Sequence, residues 1–289
     1  MPIPEYRDWQ MVNGVFTTLR HAQECLDTLA CQTVRLMRMV EHHRLGIGPE
    51  LQSLESATSQ QKMLEQDLEV WQAAFCGLRR NLRSRTKQEF RLLLLEMRWR
   101  VARIWTSTCL SQDERIYDQY LASFIRIIEL ASQAKVQTAL SGTVRGTFSF
   151  GMGFSPLLHF VVLKCRFLEI RLAAQSLMMA LSCSRESLWD SATMHAIGTK
   201  VIEIEHGITL SMDTSKPQIP QGDGYVLPGD EKRIRDNALE PDTECCTDNH
   251  GTEVWRRKIR FLIKPGIGPV KSVYDWVTIA YHPHENYHL

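Results

Sequence analysis

Glu203, Glu205 and His206 stand close together near the end of a helix-like run. Two carboxylates beside an imidazole have the composition of a general acid–base site. Residues two apart on a helix, however, point to different sides. Glu203 and Glu205 therefore read as a solvated helix end. Cys165-Arg166 sets a thiol beside a cation, the local setting that lowers a thiol pKa. No histidine partner is identifiable in sequence, and Arg166 and Arg171 are expected to pair with buried acids such as Asp190, or with carbonyls at helix ends. His282, His284 and His288 form His-x-His-x3-His, and Cys245-Cys246 has His250 nearby. Either group has soft-metal ligand types, but both fall in expected loops or tails, so no metal site is assigned. Gly-Met-Gly at 151–153 follows no clear strand and is followed by Pro156 where a dinucleotide fingerprint needs glycine, so it reads as a turn. No Gly-x-Ser-x-Gly, His-Glu-x2-His or phosphate loop occurs. No catalytic residue is assigned, and an enzyme is not expected.

The remaining chemistry is electrostatic. Arg79, Arg80, Arg83, Arg85 and Lys87 are five cations in nine residues, and Arg79–Arg103 holds nine cations against Glu89 and Glu96. Such a run can act as a nuclear-import signal or a phosphate-contacting patch. The plainer reading is a solvated junction between two helices, paired with acids of the N-terminal helices.

The totals bound the rest. With 289 residues, 44% of them hydrophobic, the chain can bury one large core or two smaller ones. A net charge of +1 announces neither a nucleic acid nor a membrane partner. The first residues, MPIPEYRDWQ, lack a signal-peptide architecture, and apolar runs such as Phe160–Leu163 are too short to span a bilayer. The expectation is an intracellular protein with no membrane partner and with reduced cysteines. The cysteines lie at 25, 31, 76, 109, 165, 183, 245 and 246, with no Cys-x2-Cys pair. Cys25, Cys76, Cys109 and Cys165 sit among apolar residues of expected helices and read as buried thiols.

The elements that must position these residues are mostly helical. Val12, Phe16, Leu19, Leu26, Ala30 and Met37 form one apolar face. Leu54, Ala57, Gln61, Leu64, Leu68, Trp71, Phe75, Leu78 and Leu82 form a narrow seam with alternating steps of three and four. Phe90, Leu94, Met97, Val101 and Ile104 give a third stripe. Ser111 and Glu114 match a capping box that opens a fourth helix, with Ile116, Tyr120, Phe124, Ile127 and Ala131 inward. Short seams broken by turns favour packing within one chain over an intermolecular coiled coil. Three shorter helices are predicted near 155–166, 168–182 and 190–206, the last capped by Asp190 or Ser191 and ended by Gly207. Trp189 is expected to be a buried anchor at the preceding turn. Residues 211–252, with Pro217, Pro220, Pro228 and Pro241, read as a long loop with one helical turn at Glu231–Ala238. Lys258–Ile263 and Val273–Ala280 read as the two strands of a small hairpin. The expected fold is mainly α: an antiparallel helical bundle or array with a proline-rich loop and a small C-terminal β-hairpin. The expected domains are 1–210 (helical), 211–252 (loop) and 253–289 (hairpin and tail).

The stretch 148–207 carries a resemblance. Pro156 opens an apolar helix ending in Cys165-Arg166; Ile170-Arg171 with Ala173-Ala174 follows; then come Leu188-Trp189-Asp190 and a helix closing in Glu203-Ile204-Glu205. This order resembles the C-terminal helical regulatory region of fungal zinc-cluster (Zn2Cys6, C6) transcription factors. Leu227-Pro228 and Arg233-Ile234 match a further pair of positions, and the likeness extends from about residue 14 to 264. Ser187 departs from the glycine usual before Leu-Trp-Asp. In the family two zinc ions bind an N-terminal cluster; this sequence lacks it, so no cofactor is expected in the chain. The resemblance implies a nuclear regulator of transcription, often of a biosynthetic pathway. It also implies protein partners or self-association, and only weak, nonspecific DNA binding by this chain. Cys165, Arg166, Arg171, Trp189, Asp190, Glu203 and Glu205 would be its packing signature. An in-frame Cys-x2-Cys-x6-Cys upstream of Met1 would make the chain a fragment of such a factor. The alternatives are a cytoplasmic helical interaction module with no transcriptional role and, less favoured, an enzyme with an unrecognised site.

Overall fold

The computed structural model describes residues 15–47, 54–82, 86–141, 148–149, 153–182, 185–186, 189–210, 227–247, 251, 253–264 and 269–279. The protein is mainly helical, with a small three-stranded antiparallel sheet near its C-terminus. It divides into two compact units, Met1–Gln112 and Asp113–Leu289, a boundary that falls inside the expected 1–210 domain.

The first unit contains α1 (Leu19–Met39), α2 (Glu41–Leu45), α3 (Leu54–Asn81) and α4 (Thr86–Thr108). Thr18 caps α1 by accepting from the His21 backbone N–H at 3.1 Å. Gly46, with φ 67°, ends α2 in the left-handed conformation that glycine adopts without a Cβ penalty. The long helices α1, α3 and α4 pack pairwise on one another. The α3 seam is buried at Ala57, Leu64, Leu68, Trp71, Phe75 and Leu78. Its ends differ: Leu54 is exposed, and Gln61 instead donates to the Thr106 carbonyl at 2.8 Å. Trp71 is fully buried, stacks on Phe75 at 4.7 Å and donates its Nε1–H to the Ala22 carbonyl at 2.8 Å. On α1 the buried face is Ala22, Cys25, Leu26, Leu29, Thr33 and Leu36, so Ala30 lies beside the predicted stripe rather than in it. On α4 Met97, Val101 and Ile104 are buried as expected, but so are Leu92, Leu93 and Leu95. A helix that faces both α1 and α3 needs more than one stripe. Cys76, expected to be buried, is exposed; Cys25 and Cys109 are buried.

The second unit begins at a departure from expectation. Asp113, not Ser111, is the cap, and it opens a 3-10 helix, Glu114–Tyr120, before α5 (Leu121–Ser141). Phe124, Ile127 and Ala131 of α5 are buried as predicted, while Tyr117 takes the inward position expected of Ile116 and Tyr120. After a two-residue strand β1 (Phe148–Ser149) come α6 (Ser155–Lys164) and α7 (Leu168–Leu181). Strands β2 (Arg185–Glu186) and β3 (Trp189–Asp190) pair beside β1 and lead into α8 (Ser191–His206). Helix α6 is buried on nearly all sides, which suits a sequence, Leu157–Leu163, that is apolar except for the buried His159. Pro156 lies in its first turn, where a missing N–H costs nothing. Asp190 caps α8 by accepting from the Thr193 N–H at 2.7 Å, and Gly207 (φ 65°) ends it, both as predicted. Helices α6, α7 and α8 approach closely at Gly198, where a Cβ would meet Gln175 Oε1 and Val162 Cγ1 at 2.8 Å.

The C-terminal region differs most from expectation. Part of the predicted 211–252 loop is strand β4 (Ile234–Thr247), after a 3-10 turn at Asp230–Lys232. With β5 (Glu253–Ile263) and β6 (Lys271–Ile279) it forms a sheet of order β4-β5-β6, not a two-stranded hairpin. Residues 211–226 and Ala280 lie outside the described residues. Pro241 sits where the β4–β5 register shifts, between Leu239 and Thr243, so its missing donor interrupts no regular ladder. Charged residues that disguise β4 in sequence pair across the strands, Glu240 with Arg260 at 3.0 Å and Asp242 with Lys258 at 3.1 Å. Ile234, Ile259, Phe261 and Val277 pack on Ile197 and Val201 of α8.

Candidate functional site

The second unit encloses a cluster of charged side chains. The buried ends of α6 and α7 and the link between them carry Lys164, Arg166 and Arg171 inward, among buried neighbours such as Val161, Val162, Cys165, Leu168 and Ala174. Arg166, Arg171 and the Glu205 side chain are fully buried, at 0% exposure. Glu205 Oε1 lies 3.3 Å from Arg166 Nη2 and accepts the Ile234 N–H at 2.7 Å, while Oε2 lies 2.6 Å from Arg171 Nη2. Glu114 lies 3.0 Å from both Lys164 Nζ and Arg166 Nη2. Lys164 also donates to the Arg235 carbonyl at 2.9 Å, and Arg166 to the Ile234 and Lys164 carbonyls at 3.2 and 2.7 Å. The Tyr117 ring faces Lys164 Nζ at 5.2 Å and the Arg166 guanidinium at 5.9 Å. Beyond this centre, Arg233 makes a two-pronged pair with Asp118 at 2.7 and 2.8 Å and donates to the Pro228 and Glu114 carbonyls. Arg235 pairs with Asp230, whose Oδ1 also accepts the Glu114 N–H at 2.9 Å.

The electrostatics follow from burial and partners. Burial would raise the Glu205 pKa, but Arg166 and Arg171 outweigh it and hold the carboxylate below its ordinary range. Burial would lower Arg166, and Glu205 with Glu114 more than offset it. At Arg171 the balance tips the other way: burial, reinforced by the charge of Arg166, outweighs Glu205 and lowers its pKa. Burial pushes the Cys165 thiol up to about 11 and the half-buried His206 down to about 4, so both are neutral at pH 7. Glu205 is ionised, and both of its oxygens face donors. Its work is to tie α7, α8 and the first residues of β4 together.

Of the expected signature, the structure thus brings together Cys165, Arg166, Arg171 and Glu205. Two expectations are corrected. Glu205 is not a solvated helix-end residue, because the chain after α8 returns at Arg233–Arg235 and covers it. Glu203 is the half-buried member of that pair, 3.5 Å from Lys200, and accepts the Leu210 N–H at 2.9 Å. Arg166 and Arg171 do pair with buried acids and donate to carbonyls at the end of α6, Lys164 at 2.7 Å and Leu163 at 3.4 Å, but the acids are Glu114 and Glu205, not Asp190, which caps α8. The Trp189 side chain lies outside the described residues, as do Cys183, His250, His282, His284 and His288. Sequence reasoning missed Lys164, Asp118 and Arg235, read Glu114 only as part of a capping box, and named Arg233 only within the resemblance, with no buried partner. The available signal was the set of cations inside otherwise apolar helical runs, since a buried cation requires a buried acid.

In the basic run, Arg79 lies 2.6 Å from Glu96, and Arg80 donates to the Cys76 carbonyl at 3.3 Å. Arg98 pairs with Asp27 of α1 and Arg103 with Glu69 of α3, the pairing with N-terminal acids expected of a helix junction. Arg83, Arg85 and the Lys87 side chain lie outside the described residues. Among the described residues no cluster of three metal-ligating side chains occurs, and no helix is long and apolar enough to cross a membrane. No family model matches the chain, and neither a curated protein nor a solved structure matches it.

Proposed function

We propose that the chain is a regulatory and interaction domain of the fungal zinc-cluster transcription-factor type, without the DNA-reading module, acting in the nucleus through protein contacts or self-association. The observation that carries this reading is the role of the motif residues. Arg166, Arg171, Glu205 and Arg233, spread over 68 positions, meet in one buried cluster. That use agrees with a packing signature and with a non-enzymatic role. The finer arrangement proposed is a helical array with a proline-rich connection through residues 211–226. The chain itself holds no zinc in this reading. Its DNA binding is weak and without sequence preference, because arginines that meet phosphates carry no base information.

The test joins the full chain to an unrelated DNA-binding domain upstream of a reporter gene, with a fluorescent copy followed in the same cells. The expected result is a several-fold change in reporter output with nuclear accumulation. Arg79, Arg80, Arg83, Arg85 and Lys87 to alanine should reduce that accumulation. An unchanged reporter at matched expression, with the protein in the cytoplasm, would refute the proposal and favour a cytoplasmic interaction module.

A further inference from the structure

Helix α3 has two faces. The seam of Ala57, Leu64, Leu68, Trp71, Phe75 and Leu78 is used inside the first unit. A second stripe, Ser59, Met63, Gln66, Val70, Ala73 and Gly77, repeats in steps of four and three on the side away from that seam. At about 100° per residue these positions fall within one arc of about 80°. All but the half-buried Gly77 are exposed, and Met63 and Val70 keep 49% and 48% of their surface in solvent. Gly77 has no internal reason to be glycine. Glycine weakens a helix interior, yet a Cβ built there would meet nothing within 4 Å. A close approach from outside the chain would give the missing side chain a purpose.

Charge decides what covers the stripe. Exposed Glu55 lies beside its start and exposed Arg80 beside its end. Among the described residues Glu55 and Lys62 have no ion-pair partner, and Arg80 contacts only the Cys76 carbonyl of its own helix. The first half of α3 holds Glu55, Glu65, Asp67 and Glu69 against Lys62, while its last turn holds Arg79 and Arg80 with no acid. One end of the helix is thus the complement of the other.

We infer that this stripe is the surface through which two copies of the chain associate, α3 against α3 and antiparallel. Aligned over their whole length, Glu55 of each copy lies beside Arg80 of the other, so both ion pairs form at once. The same alignment sets Met63 against Ala73, Gln66 against Val70 and Ser59 against Gly77 of the second copy. Large residues then meet smaller ones, and Gly77 lets the two backbones close. Glu69, nearest the two-fold axis, keeps its own Arg103 at 3.0 Å and gains Lys62 of the second copy. A parallel pair would instead put Arg80 on Arg80 and Glu55 on Glu55, which like-charge repulsion disfavours. The 28 residues of α3 span about 42 Å. A third of the surface of such a cylinder, about 10 Å across, is roughly 450 Å² per copy or 900 Å² in all, the size of a weak and reversible association. This names a surface for the self-association in the proposed reading, and rests on that reading only for its use in the cell.

Sedimentation velocity of the full, tag-free chain from about 1 to 200 µM should show a concentration-dependent equilibrium of monomer and dimer. Arg80→Glu or Glu55→Arg alone should weaken association about tenfold. The two changes together in one chain should restore it, because complementarity returns with the signs exchanged. Gly77→Gln should weaken association as well while leaving the thermal midpoint no lower, since its Cβ meets open space within the chain. A monomer throughout that range would overturn the inference and leave the stripe to a different protein. A dimer that none of the single changes weakens would overturn it too, because another surface would then join the copies, and so would a double change that fails to restore pairing. The reporter assay reads the other proposal separately: a dimer in solution with an unchanged cytoplasmic reporter result refutes the regulatory reading alone, and a monomer with an active reporter refutes this inference alone.

Discussion

Replacing Glu205 by alanine should detach the C-terminal sheet from the helices. Three contacts are lost together: Arg166 at 3.3 Å, Arg171 at 2.6 Å and the Ile234 N–H at 2.7 Å. Removing one partner of a buried pair costs about 3–5 kcal/mol, because the other charge stays buried without compensation. Here two guanidiniums are affected, and the centre of the cluster goes from three cations against two carboxylates to three against one. The lost hydrogen bond to Ile234 belongs to the same site and does not add independently. Glu205→Gln preserves shape and an acceptor for Ile234 but removes the charge, so it should remain substantially destabilised. Glu203→Ala is the control; its side chain is part-exposed, and it should cost no more than about 1 kcal/mol. Denaturant unfolding gives the overall loss. With two units in the chain a single midpoint need not describe both, so peptide-level hydrogen exchange should accompany it. Protection is expected to fall first in Ile234–Thr247 and Glu253–Ile263. The double variant Glu205→Met with Arg171→Met should cost less than the sum of its single changes by more than about 1 kcal/mol. The reasoning fails if Glu205→Ala shifts the midpoint no more than Glu203→Ala, or if Glu205→Gln is indistinguishable from wild type.

Gly198→Ala should destabilise the second unit by about 1–3 kcal/mol, measured by urea unfolding, because the new methyl meets Gln175 Oε1 and Val162 Cγ1 at 2.8 Å. Trp71→Ala should cost about 3–5 kcal/mol in the first unit, since a fully buried ring and its hydrogen bond to Ala22 disappear together; an unchanged midpoint would contradict the assigned core. Acidification should weaken the fold in two stages. Burial holds His159 at about 4 against 6.5 unfolded, so the unfolded chain takes up a proton first, and stability is lost as pH falls from about 6.5 to about 4. The Glu205 pKa is depressed, so its contribution is present above the ordinary carboxylate range and is lost as pH falls through its lower folded value. His159→Leu should shrink the first stage in a pH series of unfolding midpoints without abolishing it, because burial also holds His206 at about 4 and lowers His195, and should leave the second stage. Elemental analysis of purified, tag-free protein should find no stoichiometric zinc, because the sequence has no Cys-x2-Cys pair; two zinc ions per chain would overturn the reading of the cysteines.

Local signals in the sequence determine most of the helical layout. The 3-4 spacing from Ala57 to Leu78 specifies one buried face of α3, and Asp190 and Gly207 mark both ends of α8, because caps and periodicity act within a few residues. The aromatic and β-branched residues of Lys258–Ile263 and Val273–Ala280 likewise marked β5 and β6 as strands. Strand β4 was not visible in this way. Its Asp, Glu and Pro residues read as loop until Lys258 and Arg260 of β5 supply their partners, and strand preference depends on such neighbours. The same physics separates the residues of the candidate site. Sequence placed Arg171 and Glu205 on their helices and Cys165 and Arg166 at the end of the expected 155–166 helix, which stops at Lys164; their partners Glu114 and Ile234 lie at sequence separations of 52 and 29 residues. Whether a helix-end glutamate is solvated or buried depends on where the chain goes afterwards. Glu205 looked solvated from its own helix. The tertiary fold brings Arg233–Arg235 back over it, and only that return turns scattered charges into a buried cluster.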